Sequence, residues 1–301
     1  MAKEIVTADI GEVRALLDRV VGRSDYTGLN RMGGLTNRTY RVEFADGKIY
    51  VVRIPGEGTE EMIVRGDEQI STELACSLDI DAKLLYFGKD GAKVTEFIPE
   101  AVTMSADAFH DAHRIAQAAE IMRTLHDCGK DTGVPFEVFD MAKSYEDIIH
   151  ENNVPMFADY DKVKATVMKI KDSVDAAGEI VKVPCHNDVL CENWIVSATD
   201  DRMYLVDWEY AGMNDALWDV ADLSIEAVFD REYDAILLSA YLGRTPTDDD
   251  MRHFLANKLY VDYLWTLWAK TRVPFDGQPM EDWASERYAR LKHNIEEFTK
   301  I

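Results

Sequence analysis

The spacing of apolar residues differs between the two parts of this chain, and this difference limits the possible folds most strongly. Two β-rich segments, Thr39–Phe44 and Lys48–Ile54, flank an Ala-Asp-Gly turn and predict an antiparallel hairpin. Further short strands are expected at Lys83–Phe87 and Ala92–Phe97. From residue 106 onwards, apolar side chains recur mainly at helical spacing. The pattern predicts an α+β protein with a small antiparallel β-sheet followed by a mostly helical region.

Several helices and a second hairpin complete this prediction. In the N-terminal part, helical spacing occurs at Ile10–Val21 and from about Glu60 to Leu78. The helices expected beyond residue 99 cover Ala106–Asp127, Ser144–Asn152, Lys162–Ala176 and most of Trp218–Lys300, which we expect one loop, Val273–Pro279, to interrupt. Within Val181–Trp208, the apolar runs NWIV and MYLVDW are separated by the turn-rich sequence SATDD, which predicts the second hairpin.

Chain length and one proline indicate two lobes. A chain of 301 residues exceeds what one hydrophobic core usually serves, so two lobes with a cleft between them are expected. Pro99 follows a predicted strand and cannot donate a hydrogen bond to a continuing ladder. The predicted domains are therefore an N-terminal lobe, residues 1–98, and a C-terminal lobe, residues 99–301.

The net charge of −23 restricts the partners of this chain. So many carboxylates exclude a nucleic-acid partner, because no basic stripe could offset them along a phosphate backbone. An acidic surface raises the local concentration of a small cation, so a cationic substrate is favoured. An acidic surface without any such role is equally compatible with the composition. The charge therefore supports the substrate class only together with other features.

Cysteine usage and the N-terminus predict the compartment. The four cysteines show no C-x-x-C pair, which is typical of reduced thiols. The N-terminal sequence lacks the basic start and apolar run of a signal peptide, and no apolar stretch is long enough to span a membrane. We expect a cytoplasmic protein without membrane insertion, whose oligomeric state the sequence does not determine.

Three polar residues form the clearest chemical pattern in the sequence. Asp188 and Asn193 lie five positions apart in a predicted loop, and Asp207 follows the partner strand of the predicted hairpin. Their side chains should therefore converge at one end of this hairpin. Phosphoryl transfer requires a carboxylate that orients the attacking hydroxyl, and an asparagine and an aspartate that hold magnesium on the phosphates. Each residue alone would be read as a turn residue, so the prediction depends on their joint spacing.

The same segments resemble a known family. The pattern H-N-D-x-x-x-x-N followed by D-W-E-Y is similar to the choline and ethanolamine kinases, which are related to aminoglycoside phosphotransferases and distantly to protein kinases. The resemblance extends from Gly33 to about Arg290, and DWEYAGMNDALWDVADLSIEA is its most specific part. Asn187 stands where the aminoglycoside enzymes usually have glycine. The resemblance implies the two-lobed protein-kinase-like fold and the use of ATP with Mg²⁺.

The resemblance also assigns roles in the predicted C-terminal lobe. It makes Asp188 the base or the hydroxyl-orienting group, and Asn193 and Asp207 the magnesium ligands. Glu209 either joins this metal site or braces it. His186 is expected to support the loop through hydrogen bonds, and Asp219 to anchor the loop from behind.

In the predicted N-terminal lobe, the implied residues contact the nucleotide. Gly34, Thr36 and Asn37 belong to a glycine turn that resembles the phosphate-covering turn of kinases. Arg53 takes the place of the strand lysine of kinases, and its forked donors suit phosphate. Glu68 is the preferred candidate to brace this arginine, and Glu73, five residues later, is the competitor. The strand containing Glu96 and Ile98 resembles the hinge, whose backbone would bind the adenine edge.

A set of aromatic residues suggests the acceptor. Trp265 and Trp268 are three positions apart and share a predicted helix face. Aromatic residues at this spacing also occur in ordinary helix cores. The resemblance instead places the pair at a choline pocket with Tyr210 and Glu226, and Trp283 could close a further side. A quaternary ammonium offers no N–H donor, so aromatic faces and carboxylates are the groups that recognise it.

The sequence therefore predicts ATP-dependent phosphorylation of choline to phosphocholine and ADP. Kinases for ethanolamine, thiamine or aminoglycosides share the catalytic pattern and remain alternatives. A protein that binds choline or a nucleotide without turnover is a further alternative, although such a protein would not need Arg53 together with Asp188, Asn193 and Asp207.

Overall fold

A computed structural model describes residues 7–32, 37–56 and 64–300. The chain forms two compact units: unit 1 comprises Met1–Met104 and Glu192–Ala211, and unit 2 comprises Ser105–Cys191 and Gly212–Ile301. Unit 1 therefore continues past Pro99 and also includes a later segment of the chain. The division into functional lobes at residues 98 and 99 remains a proposal, since these compact units have different limits.

The elements of the described residues agree closely with the predicted order. In chain order they are α1 Thr7–Val21, β1 Gly28–Arg31, β2 Asn37–Glu43, β3 Ile49–Pro55, α2 Arg65–Ser77, β4 Leu84–Phe87, β5 Lys93–Glu96, β6 Ala101–Thr103, α3 Ala112–His126, α4 Val138–Glu151, α5 Tyr160–Asp175, β7 Val183–Cys185, β8 Trp194–Ser197, β9 Met203–Leu205, β10 Gly212–Asn214, α6 Ala216–Glu226, α7 Arg231–Leu242, α8 Asp248–Asp276 and α9 Gln278–Phe298.

Unit 1 contains an antiparallel sheet with the strand order β1-β2-β3-β5-β4. The predicted hairpin joins β2 to β3, and Gly47 at its turn has φ +83°, a left-handed conformation that glycine adopts at low cost. Alternate residues of β2, Tyr40 and Val42, are fully buried and form a core with Val13 and Leu17 of α1. This burial follows from the alternation of apolar residues seen in the sequence.

The second predicted hairpin is confirmed and also belongs to unit 1. Strand β8 pairs antiparallel with β9, and Trp194 lies opposite Leu205. On its other side β8 pairs with β6, which gives a three-stranded sheet. This pairing explains why residues 99–104 and 192–211 are in the same compact unit.

Unit 2 is mostly helical, with one short antiparallel pair, β7 and β10. Its longest described helix, α8, begins at a capping box in which the Thr247 side chain accepts from the Asp250 backbone and Asp250 accepts in return. Every residue from Phe254 to Leu267 in this helix is buried. A helix with polar and apolar residues buried all round must pack against neighbours on several sides.

Three predicted boundaries are wrong, one of which is the start of α4 at Val138, six residues before the predicted Ser144. The loop expected at Val273–Pro279 is absent, because α8 continues through Pro274 to Asp276 and breaks only at Gly277, which has φ +71°. Arg272 pairs with Asp276 at 2.9 Å and supports this last turn. The helix expected from Ala106 begins at Ala112 instead, because Asp111 accepts hydrogen bonds from the His113 and Arg114 backbones and fixes the N-terminus there.

Among the described helices, none combines the length and the apolar character needed to cross a membrane.

Candidate active site

The loop after β7 contains the predicted catalytic aspartate and is held through its backbone. The carboxylate of Asp219, on α6, accepts from the backbone N–H groups of His186 and Asn187, both at 2.8 Å. Asp219 is fully buried and also accepts from His126 Nε2 at 3.1 Å if that nitrogen carries the proton. The predicted anchoring role of Asp219 is therefore confirmed.

Asn187, the residue before Asp188, has an unusual backbone conformation. Its φ of +67° is a left-handed conformation, which asparagine tolerates better than most residues. Its side-chain oxygen accepts from Asn214 at 2.9 Å, and its carbonyl accepts from Trp218 Nε1 at 3.0 Å. These bonds keep a rare backbone conformation in place. An asparagine after the motif histidine thus has a local structural reason.

Asp188 itself is half-buried, and two further hydrogen bonds hold the loop around it. Its backbone N–H donates to His186 Nδ1 at 3.3 Å, so the histidine supports the loop as predicted. The next residue, Val189, donates its N–H to Asp222 Oδ2 at 2.9 Å. Asp219 and Asp222 are three positions apart and share one face of α6. A single helix face therefore holds the loop backbone on both sides of Asp188.

Asn193 and Asp207 lie at the same end of the β8–β9 hairpin. Asn193 precedes β8, Asp207 follows β9, and the Val206 N–H donates to the Asn193 carbonyl at 2.9 Å. Asp207 has φ +73°, a strained conformation for a residue other than glycine. The hairpin thus brings together the two predicted metal ligands. Whether Asp188 meets this pair, which is in the other unit, remains a prediction.

The donor set at this hairpin end fits magnesium. A carboxylate and a carboxamide supply the hard oxygen ligands that Mg²⁺ prefers. Burial raises the pKa of Asp81 to about 6, and the nearby Asp207 charge contributes to this rise. Burial also raises the pKa of Glu209, again with a contribution from Asp207. Carboxylates crowded in this way provide a favourable place for a cation.

Unit 1 contains a buried cluster of charged side chains from β3, from α2 and from the segment after β9. Arg53 Nη1 lies 2.5 Å from Glu68, whose other oxygen lies 2.7 Å from Arg65 Nη1. Glu209 Oε1 lies 2.9 Å from Arg65 and 3.4 Å from Arg53, and accepts from Asn37 Nδ2 at 2.5 Å. All four charged side chains are less than a tenth exposed. In such a site, removal of one partner typically costs about 3–5 kcal/mol.

The brace of Arg53 is thereby identified as Glu68. Burial acts to raise the pKa of Glu68, but Arg53, Lys93 and Arg65 together outweigh it, so the pKa lies below its usual value. The competing candidate, Glu73, accepts from Gln69 one turn earlier on the exposed side of α2. For Glu209, the contacts match the bracing role, and direct metal ligation by Glu209 remains a prediction.

The remaining predicted nucleotide residues divide into described and undescribed ones. Gly34 and Thr36 lie outside the described residues. Glu96 is exposed and pairs with Lys83 at 2.7 Å, while Ile98 is 7% exposed. The N–H groups of Glu96 and Phe97 donate to the Lys83 and Ile49 carbonyls, so within this strand end they are already used.

The three predicted tryptophans form one cluster in unit 2. The Trp265 and Trp268 rings meet edge to face at 6.1 Å, and Trp268 meets Trp283 in the same way at 5.9 Å. Trp265 is only 4% exposed, whereas Trp268 and Trp283 are half-buried. The open aromatic faces therefore belong mainly to the latter two. Tyr210 is half-buried and belongs to unit 1.

Comparison with known proteins adds the decisive observation. The family model for choline/ethanolamine kinases matches residues 30–298, which is most of the chain. The chain belongs to the choline/ethanolamine kinase family. It is therefore a small-molecule kinase, and the resemblance noted in its motifs is confirmed.

Solved structures of choline/ethanolamine kinases agree with this assignment. A family member from Mesorhizobium loti is 34% identical, with a TM-score of 0.84 over 96% of each chain. Choline kinase LicA from Streptococcus pneumoniae is 29% identical, with a TM-score of 0.83 over 97% of this chain and 100% of that one. LicA in complex with AMP is 27% identical, with a TM-score of 0.76 over 96% and 98% of the two chains.

The fold is shared more widely than the family. An aminoglycoside 2'-phosphotransferase IIIa mutant in complex with GDP is 14% identical, with a TM-score of 0.69 over 94% of this chain and 96% of that one. At this identity the likeness concerns the fold alone. It confirms the protein-kinase-like α+β fold that the sequence predicted for this kinase.

Sequence reasoning missed several residues of this kinase. Arg65 shares Glu68 and Glu209 with Arg53, and Gly91 supplies the carbonyl that Arg53 Nη2 contacts at 2.9 Å. Gly91 has φ +87°, and a Cβ there would lie 2.5 Å from Arg65 Nε, so only glycine fits. The only available signal was the spacing of Arg65 three positions before Glu68 at the start of a helix.

A separate cavity of about 370 Å³ lies elsewhere in unit 2 of the kinase. Its lining includes Phe136 and Phe139, together with Asn214, Asp215 and Tyr260. None of the predicted site residues lines it, so this cavity is distinct from the tryptophan cluster and the Asp188 loop.

Proposed function

We propose that this kinase transfers the terminal phosphoryl group of ATP to the hydroxyl of choline and releases phosphocholine and ADP. One observation supports this most. The face of α6 that anchors the Asp188 loop through Asp219 and Asp222 also presents Glu226 one turn further on, and Glu226 shares a buried arginine with Trp283. The helix that holds the Asp188 loop thus also carries an acidic group, Glu226, which Arg287 of α9 connects to the aromatic ring of Trp283.

The proposed chemistry assigns each group one task. Asp188 accepts a hydrogen bond from the choline hydroxyl and receives its proton as the oxygen attacks phosphorus. Asn193 and Asp207 would hold magnesium, which when bound neutralises charge on the phosphates. The rigid anchoring of the loop limits the positions open to the Asp188 carboxylate, and positioning of this kind accounts for much of phosphoryl-transfer catalysis.

For the nucleotide, we propose contacts in unit 1. Arg53, kept in place by Glu68, would contact phosphate together with Asn37 and the undescribed Gly34 and Thr36. The Glu96 carbonyl and the Ile98 N–H would meet the adenine edge. The similarity to LicA in complex with AMP supports the use of an adenine nucleotide.

For the acceptor, we propose that the trimethylammonium group lies against the tryptophan cluster with Tyr210 and Glu226. Each cation–π contact would contribute about 0.5–2 kcal/mol, depending on how far the cation is desolvated. A neutral amino alcohol would lack this gain, so a positive charge on the acceptor is required for efficient turnover.

The test is a coupled assay of ADP formation with choline, ethanolamine, thiamine and an aminoglycoside as acceptors. We expect the highest kcat/KM with choline. Asp188→Asn should lower kcat by about 100- to 10,000-fold, as for loss of a general base, with ATP binding unchanged in a thermal-shift titration. The matched control is Glu192→Gln, which alters an exposed carboxylate of the same segment and should retain activity. ADP formation that is independent of all four acceptors, or an active Asp188→Asn variant, would contradict the proposal.

A further inference from the structure

A buried guanidinium connects the acidic and aromatic residues of unit 2. Arg287 of α9 is 2% exposed, and its Nη1 lies 3.3 Å from Asp262 Oδ1. Its Nη2 donates to Glu226 Oε1, and its Cζ lies 4.2 Å from the centre of the Trp283 ring. One side chain therefore holds both a carboxylate and an aromatic ring of the proposed acceptor site.

The two carboxylates that Arg287 contacts differ in their access to a ligand. The Asp262 side chain is fully buried and also accepts from Arg290 at 2.7 and 2.9 Å. The Glu226 side chain is 17% exposed, and within the described residues its single hydrogen bond comes from Arg287. Of these two groups, Glu226 is the one that a bound molecule can reach.

Asp222 connects this group to the Asp188 loop. It is 1% exposed, and its Oδ2 accepts from the Val189 N–H at 2.9 Å. Burial raises the pKa of Asp222 well above its usual range, and the charges of Glu226 and Asp188 add to this effect. Glu226 and Asp188 therefore both lie near enough to Asp222 for their charges to act on it.

The hydrogen bond from Arg287 to Glu226 affects the binding of primary and quaternary ammonium ions differently. A primary ammonium has three N–H groups that lose hydrogen bonds to water on binding, so it needs acceptors in the site. A quaternary ammonium has none and is recognised by aromatic faces and by charge. A carboxylate that already accepts from a buried guanidinium retains fewer lone pairs for a ligand donor, and this loss affects only the primary ammonium.

We propose that Arg287 is a positioning residue that determines specificity: it fixes Glu226 and Trp283 as walls of the acceptor site and takes up Oε1 of Glu226, so that the site favours a quaternary over a primary ammonium. This inference rests on the proposed function, because it takes the acceptor site to lie beside Glu226 and the tryptophans. The same side chain thus both shapes the site and rejects the smaller amino alcohol.

The test compares Arg287→Lys with the wild-type enzyme. Lysine keeps the charge but lacks the forked donors, so Glu226 becomes freer to accept from a ligand. We expect the ratio of kcat/KM for choline to that for ethanolamine to fall by about tenfold, the effect of one hydrogen bond to a charged group. The ATP KM should stay within about twofold, because no nucleotide contact changes. An unchanged ratio in a folded variant would overturn the inference.

Arg290→Lys is the matched control. Arg290 lies on the same helix and binds the same Asp262, but the described contacts of Arg290 include neither Glu226 nor Trp283. For Arg290→Lys, the ratio of kcat/KM for choline to that for ethanolamine should equal the wild-type ratio. An equal fall of this ratio in both variants would show that general loss of packing causes it.

If Arg287→Lys does not fold, Glu226→Gln is a second variant that tests the inference. Because Arg287 already engages Glu226, removal of its charge should weaken choline and ethanolamine to a similar degree. A loss confined to ethanolamine would show that Glu226 directly receives the ammonium N–H groups and would overturn the inference.

A binding measurement separates this inference from the proposed function. If the wild-type enzyme forms no ADP with choline, the proposed function fails, whereas titration of tryptophan fluorescence with choline and with ethanolamine still measures the preference. Tighter choline binding that Arg287→Lys diminishes would support the inference. Equal binding of both amines to the wild-type protein would contradict it.

Discussion

Single buried carboxylates determine much of the local structure in this kinase. Asp219 accepts two backbone N–H groups of the Asp188 loop, and Asp222 accepts a third. A buried carboxyl group that accepts from backbone donors spares each of them the penalty of about 1–3 kcal/mol for a buried donor without a partner. The loop is therefore shaped by residues that follow it by more than thirty positions.

At Asp81, as at Asp222, burial destabilises the charged form more than the hydrogen-bond partners and nearby cations stabilise it. Burial raises the pKa of Asp81 to about 6 in the folded protein, against 3.8 as the usual value. The folded state then binds the proton more tightly than the unfolded state does. The resulting contribution to stability is complete below about pH 4 and is lost as the pH rises through about 6.

We therefore predict that Asp81→Asn removes this pH dependence. A pKa difference of about 2 corresponds to at most about 3 kcal/mol. We would measure the free energy of unfolding of both proteins in urea between about pH 4 and pH 7.5. The difference, variant minus wild type, should rise up to about pH 6 and stay constant above that pH. Parallel curves across this range would show that Asp81 does not titrate in this way.

At the scale of elements, α6 is the helix on which the proposed site depends. One face carries Asp219, Asp222 and Glu226, and the N-terminus is capped by Asp215, which accepts from Leu217 N–H at 3.0 Å. Asp215 Oδ2 also lies 2.5 Å from His253 Nε2 and accepts from Asn257 at 2.9 Å, both on α8. The cap therefore also fixes α6 to its neighbour.

We predict that Asp215→Ala lowers both stability and activity. Loss of the cap costs about 1 kcal/mol, and loss of a buried partner for His253 and Asn257 adds about 1–3 kcal/mol. The matched control is Asp230→Ala, which removes an exposed cap of α7 that accepts from Glu232 and Tyr233. Both variants should unfold at lower urea concentration, but kcat should fall only for Asp215→Ala. Equal kcat values would show that the position of α6 does not control the loop.

At the scale of the whole molecule, the net charge of −23 should act oppositely on the two proposed substrates. A strongly negative field attracts a choline cation and repels the nucleotide, and added salt screens both effects. Neither the attraction nor the repulsion requires a direct contact. In this respect the net charge acts differently from the ion pairs within the proposed sites.

We predict that the KM for choline rises and the KM for ATP falls as sodium chloride is raised from about 0.05 M to about 0.5 M, across which the Debye length shrinks severalfold. Steady-state kinetics with saturating magnesium would measure both constants. An equal concentration of sucrose serves as the control for viscosity and should move neither. Changes of both constants in the same direction would exclude the electrostatic explanation.

The sequence by itself determined the order of elements, the two hairpins and the family motifs. These features depend on neighbouring residues: alternation in Thr39–Phe44, the turn after it, and the spacing of Asp188 and Asn193 are all local. Where competing local signals met, as at Pro274, the prediction was wrong, because a proline in the exposed last turn of a long helix removes one backbone donor without ending the helix.

The tertiary structure alone decided which charged groups pair. Arg65 and Glu209 lie 144 positions apart, and Arg287 and Glu226 lie 61 apart, so no local pattern connects them. The sequence favoured Glu68 over Glu73 without excluding the latter, and only the packing of α2 made Glu68 the partner of Arg53. Such choices belong to the folded chain because burial makes an unpaired charge costly, and burial exists only once distant segments have packed together.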